Sequence, residues 1–272
     1  MEDPNSKPEI EQNDEVAKKL ADFAESEVLP EWKWPPKTRM HKDIGGWYPT
    51  WKENPGAAFG FLRRTFETVA RNFQERGNRK PIFLDLGSGD GMIPTSAAST
   101  EAFSNCYGVE YKPQLNSWSE ENIRKLEEAG TLIEGSVKLI PGSYYTSKHW
   151  PAVQQKYKER QVFLGTPQEE IDEVIEKNKD VVHALNKGLL DENGKLIADV
   201  IYWFPSDRLL VDSQEQWNEI IRPGTFLILG PSGQILDMEK TGFLNNFEHI
   251  KDYHLKGAEH GQFGDLSVYI KK

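Results

Sequence analysis

One segment constrains this chain more than any other: Pro81-Ile-Phe-Leu-Asp-Leu-Gly-Ser-Gly-Asp-Gly91. An apolar run that stops in alternating glycines reads as a buried strand followed by a wide turn, and Pro94 marks the first turn of a following helix. The spacing is Gly87-x-Gly89-x-Gly91 rather than the G-x-G-x-x-G of dinucleotide-binding turns, whose third glycine sits one residue later for close helix packing. A nicotinamide dinucleotide is therefore disfavoured. A turn of this kind lets a ligand lie directly against the backbone.

Downstream of Lys80, short β-rich runs alternate with helical patterns, the signature of a doubly wound, mostly parallel sheet. Strands are expected near 81–86, 106–110, 137–140, 197–204, 225–230, 247–253 and 265–271, the last two forming an antiparallel pair. The stretch 143–196 between the third and fourth strands is longer than one crossover needs, so it predicts an insertion over the site, with a charged helical pattern from Gln168 to Leu190. Upstream, Phe59, Leu62, Phe66, Val69, Ala70 and Phe73 form one apolar stripe, which predicts a helix over 57–73. Residues 16–56 read as a short amphipathic helix and an arm or lid in which Trp32, Trp34, Trp47, Tyr48 and Trp51 lie among five prolines. Residues 1–15 have the composition of a disordered acidic terminus. The division is then 1–15, 16–56 and a main domain over 57–272.

A length of 272 residues, with 37% hydrophobic content and eight Trp, supports one sizeable core and excludes wholesale disorder. The apolar runs Leu196 to Phe204 and Thr225 to Gly230 are far shorter than a membrane-spanning helix, and no secretory pattern opens the sequence, so a soluble cytoplasmic protein is expected. Cys106 is the single cysteine, read as a small core residue with neither a disulfide nor a zinc-thiolate role. The net charge of −10 divides into −7 over residues 1–31, +7 over 32–80 and −10 over 81–272. Only the middle block could attract an anion, and its Arg63, Arg64, Arg71, Arg76, Arg79 and Lys80 read foremost as a solvated helix face. Nucleic acid is a minority option.

Nineteen residues beyond Gly91, the second strand Cys106-Tyr-Gly-Val-Glu110 ends on an acid, where a carboxylate can accept hydrogen bonds from both hydroxyls of a ribose. Together, D-L-G-S-G-D-G and G-V-E resemble motifs I and II of the class I (seven-strand) S-adenosylmethionine-dependent methyltransferases, over about residues 57–272. The resemblance implies an α/β, Rossmann-like fold with seven strands and an antiparallel last strand, and S-adenosyl-L-methionine as cofactor. By position, Asp85, Gly87, Ser88, Gly89 and Gly91 would line its methionine end, Glu110 would hold the ribose and Tyr111 would flank the adenine. The acid that usually ends the family's third strand is replaced by Gly142 and Ser143, and Ser143 is the hydrogen-bonding candidate there.

The fourth strand, Ala198-Asp-Val-Ile-Tyr-Trp-Phe-Pro205, departs from the N-P-P-Y type, which argues against nucleobase and glutamine-amide acceptors. The acid pairs of cation-dependent O-methyltransferases are also missing, so no metal is expected. A looser similarity to the non-SET histone-lysine and c-subunit lysine methyltransferases implies an amine acceptor between aromatic walls. The acceptor reading is a nitrogen, or an oxygen, of a protein side chain or small molecule, with Tyr144, Tyr145, His149 and Trp203 as the catalytic candidates. Each has a plainer alternative in core packing, as His183 has in a surface position and Asp207 in a helix cap. Two other functions stay open: an aminopropyltransferase of the spermidine synthase type, although Tyr202 to Asp207 offers only one acid, and a cofactor-binding or partner-binding module without turnover.

Overall fold

The computed structural model describes residues 15–26, 55–204, 207–230, 242–254 and 265–272. The Trp/Pro-rich arm and the acidic terminus expected upstream lie outside them, apart from helix α1 (Glu15–Ser26). Helix α2 (Pro55–Gly77) follows, on the stripe predicted for 57–73 and longer at both ends. Phe59, Phe66, Val69 and Ala70 on α2 are fully buried, and Ala17 and Leu20 of α1 pack into the same cluster.

The main domain then runs β1 (Ile82–Leu86), α3 (Met92–Ala98), β2 (Asn105–Glu110), α4 (Pro113–Glu128), β3 (Val137–Pro141), α5 (Trp150–Phe163) and α6 (Gln168–Lys177). It continues through β4 (Val200–Trp203), α7 (Asp207–Ile220), β5 (Phe226–Leu229), β6 (Phe247–His254) and β7 (Asp265–Lys271). The sheet order is β3-β2-β1-β4-β5-β7-β6, parallel through β5, with β7 antiparallel to β5 and to β6. This is the seven-stranded Rossmann-like methyltransferase fold. The strand order reverses beside β1, so the carboxyl ends of β1, β2 and β4 flank a crevice, the usual ligand position in an open α/β sheet.

β1, β4 and β5 are buried along nearly their whole length, as strands covered by helices on both faces must be. One core cluster, under α1 and α2, is built on Phe83, Val200, Tyr202 and Phe226. The other, on the opposite face, is built on Leu84, Ile201, Trp203, Leu227 and Trp217. The two sets alternate along each strand because successive side chains point to opposite faces.

At the amino-terminal ends of the central strands β1 and β4, Asp199 accepts two hydrogen bonds from Arg79, at 2.7 and 2.8 Å, and a third from the Ile82 backbone N–H at 3.0 Å. Arg222 lies 3.3 Å from the same carboxylate. Three more cations of the basic block are also engaged. Arg63 donates to the Ser99 hydroxyl and carbonyl, Arg64 to the Gly60 carbonyl, and Lys80 to the Glu101 carbonyl. Much of the charge that could have attracted an anion is thus spent inside the chain.

The insertion differs from its sequence reading in two ways. Helix α5 carries no apolar stripe, because Val153 is its only buried side chain, and so its periodicity is silent. The charged helix predicted from Gln168 to Leu190 ends at Lys177, and the chain beyond it runs back to β3 through a bridge between His183 and Ser143. β4 is also shorter than the predicted 197–204. No helix among the described residues is long and apolar enough to cross a membrane.

Candidate cofactor site

The loop after β1 is held from below by β2: the N–H groups of Gly87 and Ser88 both donate to the Val109 carbonyl, at 2.8 and 2.9 Å. Its three glycines all take positive φ, which any other residue adopts only with strain. The approach to β2 needs a fourth glycine. A Cβ on Gly108 would lie 2.8 Å from the Ser88 hydroxyl and 2.9 Å from Leu139, so the glycine of G-V-E makes room for the loop. From the other side, Ser119 on α4 donates to the Gly89 carbonyl at 2.7 Å and Asn122 to the Asp90 carbonyl at 3.3 Å.

Glu110 is the hub of the site. Its carboxylate accepts the Gly89 N–H at 3.0 Å on one oxygen and the Lys112 N–H at 2.8 Å on the other, while Asn116 donates to its backbone carbonyl. The carboxylate is thereby aimed across the mouth of the glycine loop with lone pairs to spare. Burial raises its pKa, partly offset by the backbone N–H groups of Lys112, Gly89 and Tyr111.

Two further acids lie under the loop, Asp85 at 2% exposure and Asp90 at 1%. Burial holds the Asp85 carboxyl well above the usual range, with the charges of Glu110 and Asp90 adding to the effect. Burial also lifts Asp90 to about 7, although its carboxylate accepts the Met92 N–H at 3.2 Å. One oxygen of each, Asp85 Oδ2 and Asp90 Oδ2, is buried without a hydrogen-bond partner, as is the Ser88 hydroxyl. Buried orphans of this kind are costly and mark a place for a complementary ligand. Acids crowded under N–H groups suit a cationic, hydroxyl-bearing molecule and repel a pyrophosphate. S-adenosylmethionine, with an ammonium, a sulfonium and a ribose diol, fits this donor set.

Beside Glu110, between the ends of β2 and β3 and the inserted helices, is a cavity of about 280 Å³. Tyr111, Ser143, Tyr144 and Tyr145 form its sheet side, and Trp150, Tyr157 and Asn178 are among the residues of its inserted side. The Tyr111 hydroxyl and Asn178 Oδ1 are 2.6 Å apart, which ties the insertion to the residue after Glu110. Ser143 accepts the Tyr145 N–H at 3.1 Å and keeps its hydroxyl proton for another partner.

The catalytic candidates separate. Tyr144 and Tyr145 line the cavity, with ring centroids 5.0 Å apart. Burial raises the Tyr144 phenol further above neutrality, which makes it a proton-bearing group and not a base at pH 7. His149 points elsewhere: its Nε2 lies 3.1 Å from Glu219 of α7, and the Thr146 hydroxyl meets its Nδ1 at 2.7 Å. With the acceptor-only carboxylate taking the Nε2 proton, Nδ1 accepts from Thr146 and neither nitrogen is free. Trp203, at 1% exposure, is packed 4.7 Å from Trp217 and edge-on to Phe243 and Tyr144, beneath the cavity instead of in its wall. Sequence reasoning passed over Gly108, Asn116, Ser119, Asn122, Trp150 and Asn178. Of these only Gly108, inside the G-V-E motif, carried a local signal.

No protein-family model and no curated protein matches this chain. Among solved structures, the chain is similar to the tRNA methyltransferase TrmK of B. subtilis, with 13% identity and a TM-score of 0.45 over 78% of this chain and 65% of that one. TrmN from Thermus thermophilus gives 12% and 0.44 over 76% and 49%. The Pyrococcus horikoshii protein PH1948 gives 14% and 0.49 over 95% and 99%. The chain therefore spans about two thirds of the length of the first and half of the second.

Proposed function

We propose that this chain is an S-adenosylmethionine-dependent methyltransferase that moves a methyl group to a nitrogen or oxygen of a protein side chain or small molecule. The observation that carries the reading is the Glu110 carboxylate, fixed by the Gly89 and Lys112 N–H groups above the unpartnered oxygens of Asp85 and Asp90. When bound, the cofactor supplies an electrophilic methyl group on a sulfonium.

The chain's own residues do the rest. Glu110 orients the ligand through the ribose hydroxyls, and Asp85 and Asp90 favour its positive end. Tyr111 and Ser143 border the cavity that takes the base, and the insertion excludes water from it. Rate is gained from alignment in a dry, preorganised site, without a strong base from the protein. An aminopropyltransferase remains the second reading, because acids under the loop would also suit the decarboxylated cofactor, which carries the same cations and no carboxylate.

Calorimetric titration with S-adenosylmethionine, S-adenosylhomocysteine and decarboxylated S-adenosylmethionine decides between them. Saturable binding of the first two, followed by time-dependent release of S-adenosylhomocysteine in the presence of a cell extract, is expected. Binding of the decarboxylated form alone transfers the reading to aminopropyl transfer. A folded protein that binds none of the three overturns both readings.

The acids also set a pH dependence. A cation binds the ionised form of Asp90, whose pKa is raised to about 7, so binding releases a proton below that pH. Through Asp90 alone, affinity for S-adenosylhomocysteine, which keeps the ammonium, should therefore rise about tenfold between pH 6 and pH 8. The ligand-free chain should show the opposite trend. From about pH 4 to pH 7 the folded state holds a proton on Asp90 that the unfolded state has lost, so this group's contribution to stability falls as pH rises. Asp90→Asn should flatten both profiles, in titrations and thermal melts across that range.

A further inference from the structure

At the C-terminus of helix α5 stand three consecutive apolar side chains left largely uncovered by the described structure: Val162 and Phe163 at its end and Leu164 just beyond are 54%, 89% and 56% exposed. Isolated exposed apolar residues are ordinary, but a contiguous group with a nearly bare phenylalanine at its centre marks an interaction surface. The adjoining helix α6 buries only Ile171 and presents Glu169, Glu170, Asp172, Glu173 and Glu176 to solvent, against Lys177 alone. Lys179 pairs with Glu176, while Glu169, Glu170 and Glu173 meet no cation among the described residues. On α5, Lys156 reaches toward Glu215 and Arg160 stacks over Tyr157, leaving Lys158 beside Glu159. At the cavity, Val174 and Tyr111 add further exposed apolar surface, at 39% and 49%.

The charge selects the partner. A second copy of this chain docking by two-fold symmetry would set α6 against its own acidic face, and like charges at close range are repulsive. Nucleic acid and anionic lipid surfaces are repelled for the same reason. A cationic segment carrying apolar side chains instead satisfies both halves of the surface: its apolar residues cover Phe163 and Leu164 and its lysines or arginines face α6. We infer that the α5–α6 hairpin is a docking surface for a basic, apolar-bearing segment of a protein partner.

The test uses the full chain and a labelled synthetic peptide of repeating Lys-Lys-Leu, with fluorescence anisotropy at physiological ionic strength. Phe163→Ser/Leu164→Ser and Glu169→Lys/Glu173→Lys are each expected to weaken binding about tenfold, as loss of central contacts does. Glu120→Lys/Glu134→Lys, which reverses two exposed acids outside the hairpin, is expected to change it less than about twofold. All six positions are exposed, and melting curves show whether each variant is folded. The proposal is overturned if the hairpin variants bind like the parent or if the control reversal weakens binding as much as they do. It is equally overturned if Phe163→Ser/Leu164→Ser instead dissolves a dimer seen by ultracentrifugation, or if polyuridine binds the hairpin in place of the peptide. The measurement needs no cofactor, so failure of the methyltransferase reading leaves it standing.

Discussion

Glu110→Ala lowers the affinity for S-adenosylhomocysteine by about a hundredfold, and Glu110→Gln by about tenfold or more, in calorimetric titration at pH 8. On the proposed reading the alanine would remove two charge-assisted hydrogen bonds to the ribose, each worth about 1.5–3 kcal/mol, and it removes the acceptor that fixes the loop. The glutamine is damaging for a separate reason. Glu110 accepts the Gly89 N–H on one oxygen and the Lys112 N–H on the other, so an amide must turn its own NH2 toward one of these donors. One backbone N–H then faces a donor, and the loop loses its preorganisation. The fold itself should tolerate the change, because burial already disfavours this charge in the ligand-free protein. A Glu110→Ala variant that melts like the parent and still binds the ligand tightly removes Glu110 from the site.

Gly142→Ala is the larger structural lesion. Gly142 has φ 137°, a region that residues with a Cβ avoid, and the added carbon would lie 2.4 Å from the Val182 carbonyl oxygen. That carbonyl cannot simply withdraw, since it accepts the Ser143 N–H at 2.7 Å, and the Ser143 carbonyl in turn accepts the Ala184 N–H at 2.9 Å. These bonds return the end of the insertion to β3. Strain and overpacking together predict a loss of about 3 kcal/mol or more in urea-unfolding experiments, with weakened ligand binding because the cavity wall moves. Gly87→Ala offers the internal comparison. Its φ of 87° costs strain, but nothing lies within 4 Å of the added carbon, so a loss of about 1 kcal/mol is expected there. Equal losses at the two positions would show that the contact with Val182 does not hold the insertion in place.

Features whose causes are local were legible in the sequence. β1, the glycine turn and the acid ending β2 are each written in a few adjacent residues, and the order of apolar runs carries the sheet, because strands buried on both faces must be continuously apolar. Helix α5 left no such trace. A helix that buries one side chain, turns a few others to a cavity and leaves the rest to solvent has no stripe to read. The overrun of α6 toward Leu190 has a similar cause. Nothing in the charged pattern shows that Asn178 leaves the helix to meet Tyr111, which lies 67 residues away.

The sequence by itself determined the fold class and the chemistry of the glycine loop, since backbone conformation and strand burial depend on the residues that carry them. Tertiary structure alone decided which aromatic and titratable groups face the cavity. Tyr144 lines it, Trp203 is sealed against Trp217 beneath it, and His149 is turned to Glu219, 70 residues away. The physical reason is that a side chain's exposure, hydrogen-bond partners and proton affinity are set by neighbours brought from other elements, and no local pattern encodes them.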